Sequence, residues 1–206
     1  ANPNMTHMNV AIIKYNAGNI RSVDNAIKRL GINAQITDNA EIIRSADKVI
    51  FPGVGEASTT MAHLRTTGLD KLICSLKQPV LGICLGMQLM CRHSEEGDAD
   101  CLGIFDVDVK RFELPSNNVD NLKIPQMGWN NISNVKMPLF DASLEDKFVY
   151  FVHSYYVPLC EWTAAETTHT LTYSSGFHKD NIYATQFHPE KSGPVGEAIL
   201  KNFLAI

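Results

Sequence analysis

The hydrophobic and polar positions of this chain change period repeatedly, from short apolar runs to helical stripes and back. Residues 9–15 form an apolar run of strand length, followed by a turn at 16–19. Over 20–30 the apolar residues Val23, Ile27 and Leu30 return at helical spacing, and Gly31 supplies a C-terminal stop. Strands are predicted at 34–37 and 48–51, the second halted by Pro52-Gly53. Helices are predicted at 56–67 and 69–77, parted by Gly68, then a strand at 80–84 and at once a helix at 85–93. Strands alternating with helices pair in parallel through right-handed crossovers. The second half is richer in strand-like runs, at 107–112, 147–152, 170–173 and 182–186, and closes with a helix at 194–204. The pattern predicts an α/β fold: an open, mostly parallel sheet flanked by helices, with an antiparallel section in the second half. Ligands of such sheets bind beyond the C-terminal ends of the strands.

Composition narrows the function. A chain of 206 residues suits one core, read here as a single domain over 9–206. Residues 1–8 are polar and read as a leader, with the four ahead of Met5 read as a cloning remnant. The net charge of −4 carries no basic block, which argues against nucleic acid or an anionic membrane as partner. No apolar run approaches the roughly 20 residues that cross a bilayer. The cysteines, Cys74, Cys84, Cys91, Cys101 and Cys160, are odd in number and show no C-x-x-C spacing. That excludes a disulfide framework and a zinc ribbon and fits a reducing cytoplasm.

Cys84 stands apart from the others. It lies where a predicted strand becomes a helix, with Gly82 and Gly86 at its second neighbours. A sharp strand-to-helix turn needs small residues there, and it exposes its central side chain at the sheet's carboxyl edge. A helix N-terminus also favours a thiolate, and the N–H of Leu85 can face a developing oxyanion. A lone cysteine is most often core, the reading kept for the other four.

The strand at 182–186 leads into Phe187-His188-Pro189-Glu190. Pro189 forces the residue before it out of the helical region. In an extended segment His188 and Glu190 point to one side, so the carboxylate can hold one ring nitrogen and leave the other for a thiol. This is the logic of a nucleophile, a base and an orienting acid. The histidines at 7, 63, 93, 169 and 178 sit in polar or helical surroundings and are read as solvated, and no histidine pair has metal-ligand spacing. Neither metal nor cofactor is expected.

The segments Gly82-Ile83-Cys84-Leu85-Gly86-Met87-Gln88 and Gln186-Phe187-His188-Pro189-Glu190 resemble those of class I glutamine amidotransferases, in the family's order and over the whole chain. Further matching segments are Tyr15-Asn16-Ala17-Gly18-Asn19, Pro52-Gly53-Val54-Gly55, Pro125-Gln126-Met127-Gly128-Trp129-Asn130, Phe151-Val152-His153-Ser154-Tyr155 and His188-Pro189-Glu190-Lys191-Ser192. They most resemble the branch whose members feed ammonia to a cyclase in histidine biosynthesis. Two departures are Lys14 and Asn16, where the family carries an acid and a glycine, and Glu56-Ala57-Ser58, where it carries an aromatic residue.

The resemblance implies that Cys84 attacks the carboxamide of glutamine. His188 protonates the leaving ammonia and then activates water, and Glu190 holds His188. It implies an oxyanion hole from Leu85 and the backbone of Gly53 and Val54, and substrate contacts at Gln88, Glu96, Ser154 and Tyr155. It implies a heterodimer partner of (β/α) barrel fold, a cyclase that makes imidazole glycerol phosphate and an aminoimidazole carboxamide ribotide. Met127, Trp129, Asn130, Tyr150 and Lys191 then fall at the interface. Three other readings stay open: a glutaminase serving another synthase, such as one making pyridoxal phosphate; an inactive partner-binding module; and a lone cysteine hydrolase of peptides or esters. The Pro52–Gly55 and Pro125–Asn130 segments argue against the first, the intact Cys84, His188 and Glu190 against the second, and the interface-like segments against the third.

Overall fold

The computed structural model describes residues 7–15, 20–53 and 55–206. The turn expected at 16–19 and the position of Val54 lie outside the described residues. The elements run β1 (Val10–Ile13), α1 (Ile20–Arg29), β2 (Gln35–Thr37), α2 (Ala40–Ser45), β3 (Lys48–Phe51), α3 (Ala57–Thr67), α4 (Leu69–Ser75), β4 (Val80–Ile83) and α5 (Leu85–Leu89). There follow β5 (Cys91–Ser94), β6 (Ala99–Asp100), β7 (Phe105–Arg111), β8 (Gln126–Asn131), β9 (Phe148–His153), β10 (Tyr155–Tyr156), β11 (Thr163–His169), β12 (Leu171–Lys179), β13 (Ile182–Thr185) and α6 (Gly193–Leu204).

A seven-stranded sheet in the order β11-β12-β13-β4-β3-β1-β2 forms the centre. From β13 to β2 its strands are parallel, and β12 and β11 add antiparallel strands at one edge. The central strands are buried on both faces, which is why they read as unbroken apolar runs. Alternate side chains divide between two cores. Ala11, Ile13, Val49, Phe51 and Val80 face the core built with α3, α4 and α5. Val10, Ile12, Ile50, Leu81 and Ile83 face the core built with α1 and α6, where Val23, Ile27, Ile199 and Phe203 pack. A four-stranded sheet, β10-β7-β5-β6, and the β8–β9 hairpin complete the molecule.

The predicted helix at 85–93 is corrected. It stops at Leu89, and Cys91–Ser94 pairs in parallel with β7 and antiparallel with β6. Short apolar runs suit helix and strand alike, and here sheet partners from later in the chain decide. The strand expected at 170–173 belongs to the nine-residue β12, whose buried Ser174 and Ser175 hide its pattern. Hydroxyl pairs with Thr163 at 2.6 Å and Thr167 at 2.8 Å make those serines tolerable inside. The pattern also missed α2, a six-residue helix whose N-terminus is held by the Asn39 side chain.

Candidate active site

Cys84 follows β4 at the carboxyl edge of the central sheet and caps the start of α5 with φ 55° and ψ −110°. That is a positive-φ conformation costly for a residue bearing a β carbon. Gly86 lets the turn close: a β carbon there would collide with the carbonyl oxygen of Phe51. The elbow is therefore built by close approach of α5 to β3.

His188 follows β13, which pairs directly with β4, so neighbouring strands deliver both groups to one edge. His188 is extended, as Pro189 requires, with φ −98° and ψ 98°. Glu190, however, lies in a 3-10 turn over Pro189–Lys191, which corrects the extended geometry expected of it. The turn still brings its Oε1 to 2.6 Å from His188 Nδ1, with both side chains 3% exposed. His188 Nε2 makes no hydrogen bond of ordinary geometry in the resting site. Burial opposes the charged ring, but negative charge at Cys84 and then at Glu190 outweighs it and pushes His188 up to about 10. The site thus favours the imidazolium form of His188.

A cavity of about 220 Å³ opens on this pair, lined among others by Gly55, Leu85, Gln88, Glu96, Ser154 and Tyr155. All four residues expected to contact substrate therefore line one space with Cys84 and His188. Glu96 Oε1 accepts from the N–H of Ala57 at 2.7 Å, at the start of α3. Burial raises its carboxyl above the usual range, the Ala57 N–H pulls it down, and Glu56 raises it again. Glu56, in the Glu56-Ala57-Ser58 segment, caps the same helix through the N–H groups of Ser58 and Thr59. This departure therefore places a second acid beside the pocket.

The N–H of Leu85, expected at an oxyanion hole, donates to the carbonyl of Gly53 at 3.3 Å. Val54 lies outside the described residues. The segment is pinned by Tyr15, whose buried hydroxyl donates to the Pro52 carbonyl. Burial and negative charge at Cys84 raise the Tyr15 phenol far above its ordinary range, so it remains a donor.

The expected interface residues cluster on the β8–β9 hairpin and beside His188. Met127 and Trp129 are 66% and 56% exposed, and the Trp129 ring meets Tyr150 edge-on at 6.1 Å. Asn130 donates to the Thr168 carbonyl at 2.9 Å. The Tyr150 carbonyl accepts from the N–H of His188 at 3.0 Å, and Lys191 closes the turn onto the His188 carbonyl. Three residues about the site were not singled out as site residues from sequence: Tyr15, His153 and Gln186. Each lay inside a quoted motif, but its side-chain partner is far away in sequence. The other histidines are corrected too: His63, His93, His169 and His178 are half-buried, and His178 stacks on Tyr183 at 4.4 Å.

Comparison with known proteins shows the family and the fold. Residues 11–206 match the glutamine amidotransferase class-I family. The imidazole glycerol phosphate synthase subunit HisH of Bacteroides thetaiotaomicron is 66% identical, over 96% of this chain and 99% of its own. The same-named subunit of Haemophilus influenzae (strain Rd) is 44% identical, over 96% of this chain and 97% of its own. Among solved structures, a glutamine amidotransferase superposes with TM-score 0.71 at 20% identity, covering 95% of this chain and 97% of that one. PurLQS from Thermotoga maritima superposes with TM-score 0.68 at 13% identity, covering 96% and 98%, a likeness of fold. The chain belongs to the class-I glutamine amidotransferase family.

Proposed function

We propose that the chain is the glutaminase subunit of an imidazole glycerol phosphate synthase, acting in the cytoplasm in histidine biosynthesis. The observation that carries the chemistry is that His188, held by the buried Glu190 at 2.6 Å, lines one cavity with Cys84, Gln88 and Glu96. Cys84 attacks the carboxamide carbon of glutamine, and the imidazolium of His188 gives its Nε2 proton to the departing ammonia. The ring, neutral again, takes a proton from water as the hydroxide attacks the glutamyl thioester, which releases glutamate and leaves the sulfur beside the imidazolium as at the start. Glu190 fixes the ring and balances its charge. Glu96 receives the α-ammonium of glutamine, and the backbone of Ser154 and Tyr155 lines the substrate.

Ammonia released to water at neutral pH is protonated and loses its nucleophilic lone pair. It therefore has to enter a partner directly. We assign that role to a cyclase of (β/α) barrel fold seated on Met127, Trp129, Asn130, Tyr150 and Lys191, which makes imidazole glycerol phosphate and aminoimidazole carboxamide ribotide. The Leu85-to-Gly53 hydrogen bond supports a gate: partner docking turns the Gly53–Val54 peptide, so that an N–H replaces the carbonyl. One missing oxyanion donor costs about a hundred- to a thousand-fold in rate.

The test measures glutamate and ammonia release from glutamine, with and without the co-expressed cyclase. The isolated chain is expected to be nearly idle, the complex to turn over at least a hundredfold faster (~10²) with little change in glutamine binding, and Cys84→Ser to be folded and inactive in both. Near-normal hydrolysis by Cys84→Ser refutes the nucleophile. Full activity of the isolated chain refutes the gate alone.

A further inference from the structure

The nucleophile has a neighbour that the triad chemistry leaves unused. Gln186 is fully buried, and its Nε2 lies 3.8 Å from Cys84 Sγ. We propose that Gln186 is a positioning residue for the nucleophile, its amide N–H held against the Cys84 sulfur by a buried hydrogen-bond chain that begins on the β8–β9 hairpin. The proposal rests on the reading of Cys84 as nucleophile and adds the group that holds the sulfur.

The direction of the chain follows from its acceptors. The carbonyl of Tyr155 can only accept. The atom of Gln88 that meets it at 2.9 Å is therefore the amide nitrogen. That same nitrogen lies 2.9 Å from the Gln186 side chain, so the Gln186 atom it meets is Oε1. The remaining end of Gln186, its NH2, is thereby turned toward the sulfur. On the other side of the Tyr155 carbonyl, His153 Nδ1 donates at 2.6 Å. Its Nε2 lies 2.9 Å from the Gln126 side chain and 3.2 Å from the Tyr173 hydroxyl. Burial holds His153 down at about 3, so its ring is neutral and its one proton stays on Nδ1, toward Tyr155.

Every side chain in this chain of contacts is less than a tenth exposed. Turning the Gln88 or the Gln186 amide would set two acceptors or two donors face to face, at high cost. The sulfur also touches the Val152 carbonyl at 3.9 Å, an acceptor that suits the protonated thiol. The Gln186 N–H is the opposing contact: it accommodates the anion. The titratable groups whose charge is coupled to the sulfur are His188, Tyr15 and Tyr173, none of which changes when Gln186 is replaced.

The test reads the sulfur without glutamine. Purified full-length protein is alkylated with iodoacetamide across a range of pH, and the Cys84 peptide is quantified by mass spectrometry. Gln186→Met and Gln186→Leu fill the space without a donor. Each is expected to slow Cys84 alkylation at neutral pH about tenfold and to move the half-rate pH up by about one unit. Gln88→Met, which frees the Gln186 amide to rotate, is expected to shift the profile in the same direction by less. A folded Gln186 variant with the wild-type profile overturns the proposal. If both Gln186 variants fail to fold, an unshifted Gln88→Met profile overturns it alone. A wild-type Cys84 that reacts no faster than the exposed Cys74 overturns the nucleophile reading, and this inference with it.

Discussion

The strain at the elbow can be measured by comparing two inactive proteins, Cys84→Ala and Cys84→Gly. Both lose the sulfur and its contacts equally, so those terms cancel in the comparison. They differ in the β carbon, which Cys84 carries at φ 55° and ψ −110°. Holding a non-glycine residue in such a region costs about 1–3 kcal/mol. Glycine removes that cost, but it raises the entropy of the unfolded chain by about 0.4–1 kcal/mol. The difference leaves Cys84→Gly more stable than Cys84→Ala by about 1–2 kcal/mol. For a domain of this length each kcal/mol moves the melting temperature by about 2–4 °C, so the glycine variant melts about 2–8 °C higher. Thermal melts and urea titrations of the two variants measure this directly. If glycine melts at or below alanine, as it does at an ordinary position, the elbow stores no strain and the account of the turn is wrong.

Glu190→Gln removes an anionic partner of His188; glutamine turnover is expected to fall by about two to four orders of magnitude, while a glutamine-analogue alkylator still labels Cys84. Complete loss of labelling would give Glu190 a larger part than orienting the ring. His188 sits above its unfolded value of 6.5, so the imidazolium's contribution to stability is complete below 6.5 and is lost as pH rises through about 10. The ring-proton NMR shift of His188 should accordingly titrate far above 6.5 in wild type and lower in Glu190→Gln, and equal midpoints would contradict the assignment. Glu96→Gln is expected to raise KM for glutamine about tenfold or more with a smaller effect on kcat; an unchanged KM would remove Glu96 from the substrate site. Trp129→Ala is expected to weaken cyclase binding by about 2 kcal/mol, near thirtyfold in Kd by calorimetry, and unchanged affinity would move the interface elsewhere.

The parallel core was legible along the chain because its strands are buried on both faces and helices return between them. Periods of two and 3.6 are local properties, so β1, β3, β4, α1 and α6 could be read within a residue or two. The Cys84 elbow was legible for a similar reason, since the demand for Gly86 is set by immediate chain geometry. Chain segments with polar interiors were not: β11 and most of β12 hide behind hydroxyls that only their cross-strand partners satisfy. The helix expected at 85–93 failed because an apolar run cannot announce which later strand will pair with Cys91–Ser94. Sequence also offered the His188–Glu190 pair and Cys84 about a hundred residues apart; the parallel pairing of β4 with β13 makes them neighbours. The closing of the Leu85 N–H by Gly53, the second acid that Glu56 places beside Glu96, and the amide chain through Gln88 and Gln186 belong to tertiary structure alone. Each depends on a donor meeting an acceptor far along the chain, and a sequence lists donors and acceptors without their distances.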